Sequence, residues 1–197
     1  MLTRRSLLLL GAAATATLMA GPRAWAQDAT GFVVQLGNAL TSVVNGPGSY
    51  AEKKQRLTPL IENAVDVDGI ARFCLGRFWR TATPQQQAEY QRLFRQVLLN
   101  NVFGRLGEFQ GITFTPTQTT QTPDGASVGT LIQRPNQQPN NVQWVVANVE
   151  GQNKIVDVKA EGTSLRLTQR NDYAAYLQRN GSNVDALLGA MRGQVSG

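Results

Sequence analysis

The best candidates for acid–base chemistry in this chain are carboxylates that stand among apolar residues. Asp157 interrupts an apolar alternation between Val156 and Val158, and Glu161 follows a few residues later. An enzyme built in an apolar cup would use Asp157 or Glu161 as its base, and we keep this function as an alternative. Because side chains alternate along a strand, Asp157 faces away from both valines, which favours an outward or sheet-edge carboxylate that pairs with an arginine or caps a turn.

A second carboxylate pair, Asp66 and Asp68, stands just before the run from Gly69 to Phe73. Aspartate is a preferred residue at the N-cap of a helix, where its oxygen accepts a backbone N–H. The setting therefore predicts that Asp68 is a helix N-cap and not a catalytic group.

Histidine is absent from the sequence, and Cys74 is its only cysteine. The first fact removes the usual general base and the commonest zinc ligand, and the second excludes a disulfide within the chain. Cys74 stands between Phe73 and Leu75, so we expect a buried small hydrophobe and no reactive thiol. We find no acidic cluster with the spacing of a metal site, and we predict neither a metal nor a cofactor.

Arginines and aromatic residues alternate in the segment from residue 72 to residue 95. The favoured interpretation is a solvated face on which arginine stems pack against rings, and the alternative is contact with anionic lipid head groups or an acidic protein surface. Nucleic acid is not an expected partner, because the start of the chain indicates export. The residues are Arg72, Phe73, Arg77, Phe78, Trp79, Arg80, Arg92 and Arg95.

Residues 1–26 have the three parts of a secretory signal peptide. Arg4 and Arg5 precede an apolar stretch from Leu7 to Ala20, and Ala24-Trp25-Ala26 offers a cleavage site. We predict a periplasmic protein with a single domain over residues 27–197, and the paired arginines leave the general and twin-arginine export routes both open. Removal of residues 1–26 takes away three arginines and no acidic residue, so the net charge falls from +6 to +3.

Helical spacing of apolar residues covers the first half of the remaining chain. Residues 31–44 form one such segment, and Ser49 with Glu52 has the spacing of a capping box that opens a second, in which Pro59 is expected to bend or split the helix. Thr83, followed by proline and a glutamine, opens a long third helix that is expected to break near Gly104.

After Gly111 the apolar period changes from about 3.6 to 2. Four strands follow, joined by turns rich in glycine, proline and asparagine, which predicts an antiparallel meander. Leu165 and Leu167 are candidates for a fifth strand, the polar stretches 115–122 and 134–141 are expected to be solvated loops and strand ends, and short helices over 172–179 and 184–191 close the chain. Helices, then a sheet, then helices predict an α+β fold.

Two segments carry a resemblance to a known family. The first runs Leu75-Gly76-Arg77-Phe78-Trp79-Arg80-Thr81-Ala82-Thr83-Pro84-Gln85-Gln86-Gln87, and the second runs Val156-Asp157-Val158-Lys159-Ala160-Glu161-Gly162-Thr163-Ser164-Leu165. With Tyr173, Gly181 and Leu187 in register behind them, they resemble the MlaC family, the toluene-tolerance auxiliary components of ABC transporters.

This resemblance implies a periplasmic phospholipid-binding protein that exchanges lipid between an outer-membrane lipoprotein–porin complex and an inner-membrane ABC transporter complex. It also implies a curved antiparallel sheet of four to five strands wrapped by N- and C-terminal helices, related to the NTF2-like shape, with an apolar cavity between sheet and helices. Some members accompany hopanoid synthesis, so a hopanoid is an alternative ligand.

The periodicity itself, and not the family, provides candidates for the cavity wall. They are the apolar positions of the long helix, of one face of the sheet and of the closing helices. A dry interaction module whose apolar residues form only a core would contain the same residues. The candidates are Phe94, Val97, Leu98, Val102, Leu106, Val128, Ile132, Val142, Trp144, Val146, Val156, Val158, Tyr173, Tyr176 and Leu177.

Overall fold

The computed structural model describes residues 22–196, so the signal peptide predicted from the first residues lies mostly outside the described part of the chain. In chain order, its elements are α1 (Pro22–Asn45), α2 (Tyr50–Ala64), α3 (Val67–Leu75), a 3₁₀ helix (Gly76–Arg80), α4 (Pro84–Gly104), a second 3₁₀ helix (Leu106–Phe109), β1 (Thr113–Thr122), β2 (Gly125–Gln133), β3 (Asn140–Val149), β4 (Gln152–Ala160), β5 (Thr163–Ser164), α5 (Leu165–Arg179) and α6 (Val184–Ser196).

The five strands form one open sheet in the order β1-β2-β3-β4-β5, and every neighbouring pair is antiparallel. Helices precede and follow the sheet in the sequence, which confirms the predicted α+β fold. The antiparallel pairing of neighbouring strands confirms the predicted meander of the first four strands. Among the described helices, none has an apolar stretch long enough to cross a bilayer.

The prediction of a fifth strand at Leu165 and Leu167 is wrong by two residues. The fifth strand is Thr163–Ser164, and both leucines lie in the first turn of α5. Ser164 begins the helix because its hydroxyl accepts the N–H of Leu167 at 3.1 Å. Two leucines around one arginine imitate strand alternation, and the structure leaves them 51% and 49% exposed.

The polar stretch 115–122, expected to form solvated loops and strand ends, lies entirely within β1. Threonine is β-branched and suits an extended backbone, while proline is tolerated there because β1 is an edge strand. A register shift between Pro116 and Thr119 interrupts the pairing with β2.

The N-termini of the helices follow local side-chain chemistry. Both predicted capping boxes are present, Ser49 with Glu52 and Thr83 with Gln86. Pro59 lies inside α2 without splitting it.

Asp68 is not the N-cap of α3. That position belongs to Asp66, whose Oδ1 accepts the N–H of Gly69 at 3.0 Å, and Asp68 lies in the first helical turn. An aspartate N-cap accepts the N–H of the residue three positions later, and Asp66 has this spacing to Gly69. The helix therefore begins two residues earlier than predicted.

The buried apolar residues form three clusters. The helical cluster joins α3, α4, α5 and α6 around Tyr90, whose hydroxyl donates to the carbonyl of Ala71 at 3.0 Å. The junction cluster joins α1 and α2 to the end of α4 around Phe103, and the sheet cluster joins α1 to β2 and β3 around Val33 and Val128.

Helix α1 lies along the sheet, and three contacts fix its course. Gly37 approaches the ring of Phe114 so closely that a Cβ atom there would stand 2.9 Å from it. The hydroxyls of Thr30 and Thr119 are 2.8 Å apart, and the N–H of Gly111 donates to Oδ1 of Asn45 at 2.8 Å. One face of the sheet is therefore partly covered by α1.

Cys74 is buried in the helical cluster, as predicted, with its Sγ 3.5 Å from the carbonyl oxygen of Arg166. Burial raises the pKa of the thiol to about 12 from an ordinary value of 9.0, so the folded protein holds it protonated at neutral pH.

A thiol reagent at neutral pH should therefore modify Cys74 only as fast as the protein unfolds, because the thiolate is the reactive form and the folded state excludes it. Ellman's reagent, read spectrophotometrically with and without denaturant, measures this. A Gln143→Cys variant, whose new thiol lies on an exposed position of β3, should react at once in the folded state. Rapid labelling of native Cys74 would contradict the burial.

Candidate functional site

The sheet face that packs against α1 gathers most of the strand residues predicted for the cavity wall. Val128 pairs with Trp144, and Trp144 pairs with Val158, so these three side chains share one face of the sheet. By the same register Val142 lies opposite Thr130, and Ile132 opposite Phe114. Alternation therefore places five of the predicted strand residues, and Val146 with them, on one surface.

Trp144 is held in place on this face by a polar contact. Its indole N–H donates to Oγ1 of Thr130 at 2.9 Å, and the Thr130 hydroxyl donates to the carbonyl of Val142 at 3.1 Å. The ring also contacts Phe114 at a centroid distance of 6.3 Å. Thr130 is buried while Trp144 is half-buried, so part of the indole stays accessible on a surface that is otherwise apolar.

Val156 stands at a β-bulge. Val145 pairs with Asp157 and Val146 pairs with Ile155, which leaves Val156 as the extra residue of β4. Ile155, opposite Val146, therefore shares the α1-facing surface, although its place in the sequence put it on the other face. A bulge has no signature in the apolar pattern, so periodicity alone missed Ile155.

The predicted helical wall residues are divided between two clusters. Phe94, Val97, Tyr173 and Leu177 are buried in the helical cluster, where Leu98 and Tyr176 pack against it half-buried. The rings of Tyr90, Phe94 and Tyr173 stand 5.9–6.5 Å apart.

The C-terminal part of α4 and the 3₁₀ helix after it belong to the junction cluster instead. Leu106 is buried in that 3₁₀ helix and not on the long helix, and Val102 of α4 packs against the cluster half-buried. A pocket of about 150 Å³ opens at this cluster, lined by Val44 and Leu106 at its apolar end and by Tyr50, Lys53 and Gln110, with Gly48 and Gly107. The ammonium group of Lys53 donates to the carbonyl of Val44 at 2.7 Å.

Burial separates the predicted wall residues by what each can offer a ligand. Side chains that neighbours enclose fully, such as Leu177 and Val146, have no free surface. The half-buried members keep apolar area that a ligand could cover. They are Leu98, Val102, Ile132, Val142, Trp144, Val158 and Tyr176.

Phe114 and Phe32 are half-buried aromatic residues of the sheet cluster that the sequence analysis did not include among the wall candidates. Phe114 carried a signal, because it alternates with Ile112 at the start of β1. Phe32 carried one too, because it stands four residues before Leu36, and residues with that spacing lie on the same face of a helix.

Asp157 is buried, with 3% of its surface exposed, so the outward-facing position, one of the two predicted alternatives, is wrong. The predicted pairing with an arginine is confirmed: Nε of Arg166 lies 3.5 Å from Oδ2. The Ser164 hydroxyl donates to Oδ2 at 2.6 Å, and the N–H of Arg166 donates to Oδ1 at 3.2 Å. The carboxylate thus stabilises the start of α5, where the helix dipole favours negative charge.

Asp157 and Glu161, the two candidate bases of an enzyme, are each engaged in separate hydrogen bonds. Both oxygens of Asp157 accept hydrogen bonds, and Glu161 is an exposed turn residue that accepts the N–H of Asn141 at 2.8 Å. In the part of the chain that the structure describes, no group of three acidic or cysteine side chains has the geometry of a metal site.

Three comparisons with known proteins bear on this arrangement. The sequence profile of the family described as MlaC protein matches residues 35–193. The toluene tolerance protein Ttg2D of Pseudomonas putida is 30% identical over 145 residues, which cover 71% of this chain and 66% of that protein. A solved structure of a phospholipid-binding protein from Ralstonia solanacearum, in complex with a phospholipid, is similar with a TM-score of 0.75 at 21% identity, over 85% of this chain and 97% of the other.

The buried ion pair yields a stability prediction. Asp157→Asn removes the buried charge that accepts hydrogen bonds from Ser164 and Arg166, and it should lower the free energy of unfolding by about 3 kcal/mol, because a charge-assisted network at a buried site is broken. Asp124, the other partner of Arg166 at 2.7 Å, is 63% exposed in its side chain. Asp124→Asn should therefore cost less than about 1 kcal/mol. Urea unfolding followed by circular dichroism compares the two, and equal losses would contradict a structural role specific to Asp157.

Proposed function

The chain belongs to the MlaC family, and we propose on that basis that it is a periplasmic lipid carrier that binds phospholipid acyl chains in an apolar space between its sheet and its helices. It performs no covalent chemistry on the lipid. The observation that carries the proposal is the set of half-buried apolar side chains, from the sheet face around Trp144 to Leu98 and Val102 of α4. The phospholipid held by the Ralstonia solanacearum relative supports the same ligand class.

The energetics of acyl chains explain why a carrier of this kind needs an interior. Two chains have on the order of 30 methylenes, and at about 0.8 kcal/mol each their exposure to water would cost roughly 24 kcal/mol. Most of that surface has to be covered during transit. The half-buried residues of the sheet face offer apolar area without polar groups that would need a partner, since the Thr130 hydroxyl is already engaged by Trp144 and Val142.

Loading requires the space to widen. Pockets for drug-sized ligands occupy about 300–1,000 Å³, while the pocket at the junction cluster holds about 150 Å³. The half-buried apolar side chains of the sheet face and of α4 mark where widening would give most to a ligand, because lipid entering there covers apolar area that the protein leaves accessible.

The same family membership supports a role in transport between membranes. We propose that the domain over residues 27–197 is released into the periplasm after removal of the signal peptide. There it exchanges lipid with an outer-membrane lipoprotein–porin complex and an inner-membrane ABC transporter complex, and so maintains the lipid asymmetry of the outer membrane. The name of the Pseudomonas putida relative, a toluene tolerance protein, agrees with a role at the envelope. Docking to either complex has to favour the open arrangement for lipid to leave.

Leu98→Glu should abolish lipid binding, because it places a charge among the apolar side chains that contact the acyl chains. Asn101→Glu is the matched control: the residue is exposed on the same helix, so the same charge there should leave the bound lipid unchanged. Mass spectrometry of lipid extracted from protein purified from the periplasm gives the lipid-to-protein ratio for each variant. Circular dichroism verifies that both variants fold.

The same extract identifies the ligand. Phospholipid at a fixed ratio to protein is the expected result. A hopanoid in its place would change the class of lipid in the proposal and would still support a lipid carrier. Protein that holds no lipid and takes none from vesicles would overturn the proposal in favour of an interaction module whose apolar residues form only a core.

A further inference from the structure

The arginines that alternate with aromatic residues between positions 72 and 95 fall into two groups. In the first, Arg95 faces two carboxylates, those of Glu62 at 3.4 Å and Asp68 at 3.5 Å. Arg92 likewise lies 3.7 Å from Glu89. The charges of this group are compensated within the chain.

The second group consists of Arg72, Arg77 and Arg80. In the described part of the chain no carboxylate lies within 4.0 Å of any of them. Two of them are instead positioned by rings, because the guanidinium of Arg77 lies 4.9 Å from the ring centroid of Phe78 and that of Arg72 lies 5.8 Å from the centroid of Trp79. Cation–π contacts of this kind orient the guanidinium and leave its N–H donors free for another acceptor.

Arg77 and Arg80 line an open depression of about 480 Å³, which we term the arginine notch. Its other lining residues are Phe78, Thr81 and Ser182, so the notch combines two guanidinium groups with two hydroxyl-bearing side chains and no acidic one. Ser182 is brought there by the turn between α5 and α6, where its own N–H donates to the carbonyl of Leu177 at 2.7 Å.

The backbone beneath the notch is firmly held. The N–H groups of Thr81 and Ala82 both donate to the carbonyl of Phe78, at 3.2 and 2.9 Å. The side-chain amide of Gln87 donates to the carbonyl of Trp79 at 2.8 Å, and Phe78 is buried in the helical cluster. Arginines presented by a rigid segment lose little further freedom when they bind a partner.

The shape and the charge of the notch favour a protein partner over a bilayer. Attachment to an anionic membrane surface takes clusters of about four to eight basic residues, whereas the notch has two, and the net charge without residues 1–26 is +3. A depression also admits a protruding side chain, while lipid head groups present a flat surface. Planar guanidinium groups match carboxylates with paired hydrogen bonds.

We propose that the arginine notch is a docking site for an acidic segment of a partner protein, with an Asp or Glu carboxylate bound between Arg77 and Arg80. The site lies outside the apolar wall and does not depend on the lipid-carrier proposal. A protein that has lost the notch should still bind its lipid.

The test uses the exported chain as purified from the periplasm, labelled with ¹⁵N, and a short oligoglutamate peptide as the probe. Backbone amide shifts are expected to concentrate at residues 76–82 and 181–183, and a neutral oligoglutamine peptide of the same length should cause none. Arg77→Gln with Arg80→Gln should weaken peptide binding by about tenfold or more, because each lost charge-assisted contact changes a binding constant by roughly that factor.

Arg56→Gln with Arg105→Gln is the control of equal charge, since both arginines are exposed elsewhere on the surface. Equal weakening in the two double variants, or shifts centred away from the notch, would overturn the proposal. Binding to phosphatidylglycerol vesicles that is lost with the notch, while peptide binding persists, would assign the notch to a membrane and would also overturn it. Lipid content measured on the same samples reports on the carrier proposal separately.

Discussion

Strand β4 ties the helices that precede the sheet and the helix that follows it to the same three consecutive residues, 155–157. The carbonyl of Ile155 accepts the N–H of Asp66 at 3.0 Å, and this bond ties the connection between α2 and α3 to the sheet. The bulge at Val156 follows, and Asp157 then accepts the Ser164 hydroxyl and the Arg166 N–H at the start of α5. In a regular strand Ile155 and Asp157 would face the same side of the sheet, because they are two residues apart. The bulge places them on opposite sides, and both are buried.

This attachment through one strand has a mechanical consequence. The sheet cluster packs on α1, while the helical cluster consists of residues from α3 to α6. Val65, which pairs with Ile155, packs against both the helical and the junction clusters and so stands where the layers meet. Helix α1 is a second link, because it contributes to both the sheet and the junction clusters. Separate clusters joined at a few places can shift against one another more easily than one continuous core.

Local signals in the sequence were sufficient for the helix starts at Ser49 and Thr83 and for the strand order. The capping boxes at Ser49 and Thr83 each involve residues three positions apart, and the hairpin turns are set by neighbouring residues. Local signals failed where two neighbouring patterns compete, since Asp66 and not Asp68 caps α3, and Leu165 and Leu167 are helical because Ser164 caps them. The burial of Asp157 depends on a more distant contact, because Arg166 approaches it from α5. Periodicity also identified the α1-facing residues of the sheet. It did not predict that Leu177 is fully buried while Leu98 is half-buried.

The half-buried wall also determines what kind of selectivity this protein can have. Strong discrimination between related ligands comes from buried polar groups that are left unpaired by the wrong one. On the α1-facing surface Thr130 is such a group, and its hydroxyl is used internally by the Trp144 indole and the Val142 carbonyl. In the proposed carrier the remaining contacts with an acyl chain are apolar and depend on area, so we expect the affinity to depend on the length of the chain and only weakly on its head group. Weak selectivity would suit such a carrier, because a ligand bound by area alone is released once a partner offers a comparable apolar surface, and no specific bond has to be broken first.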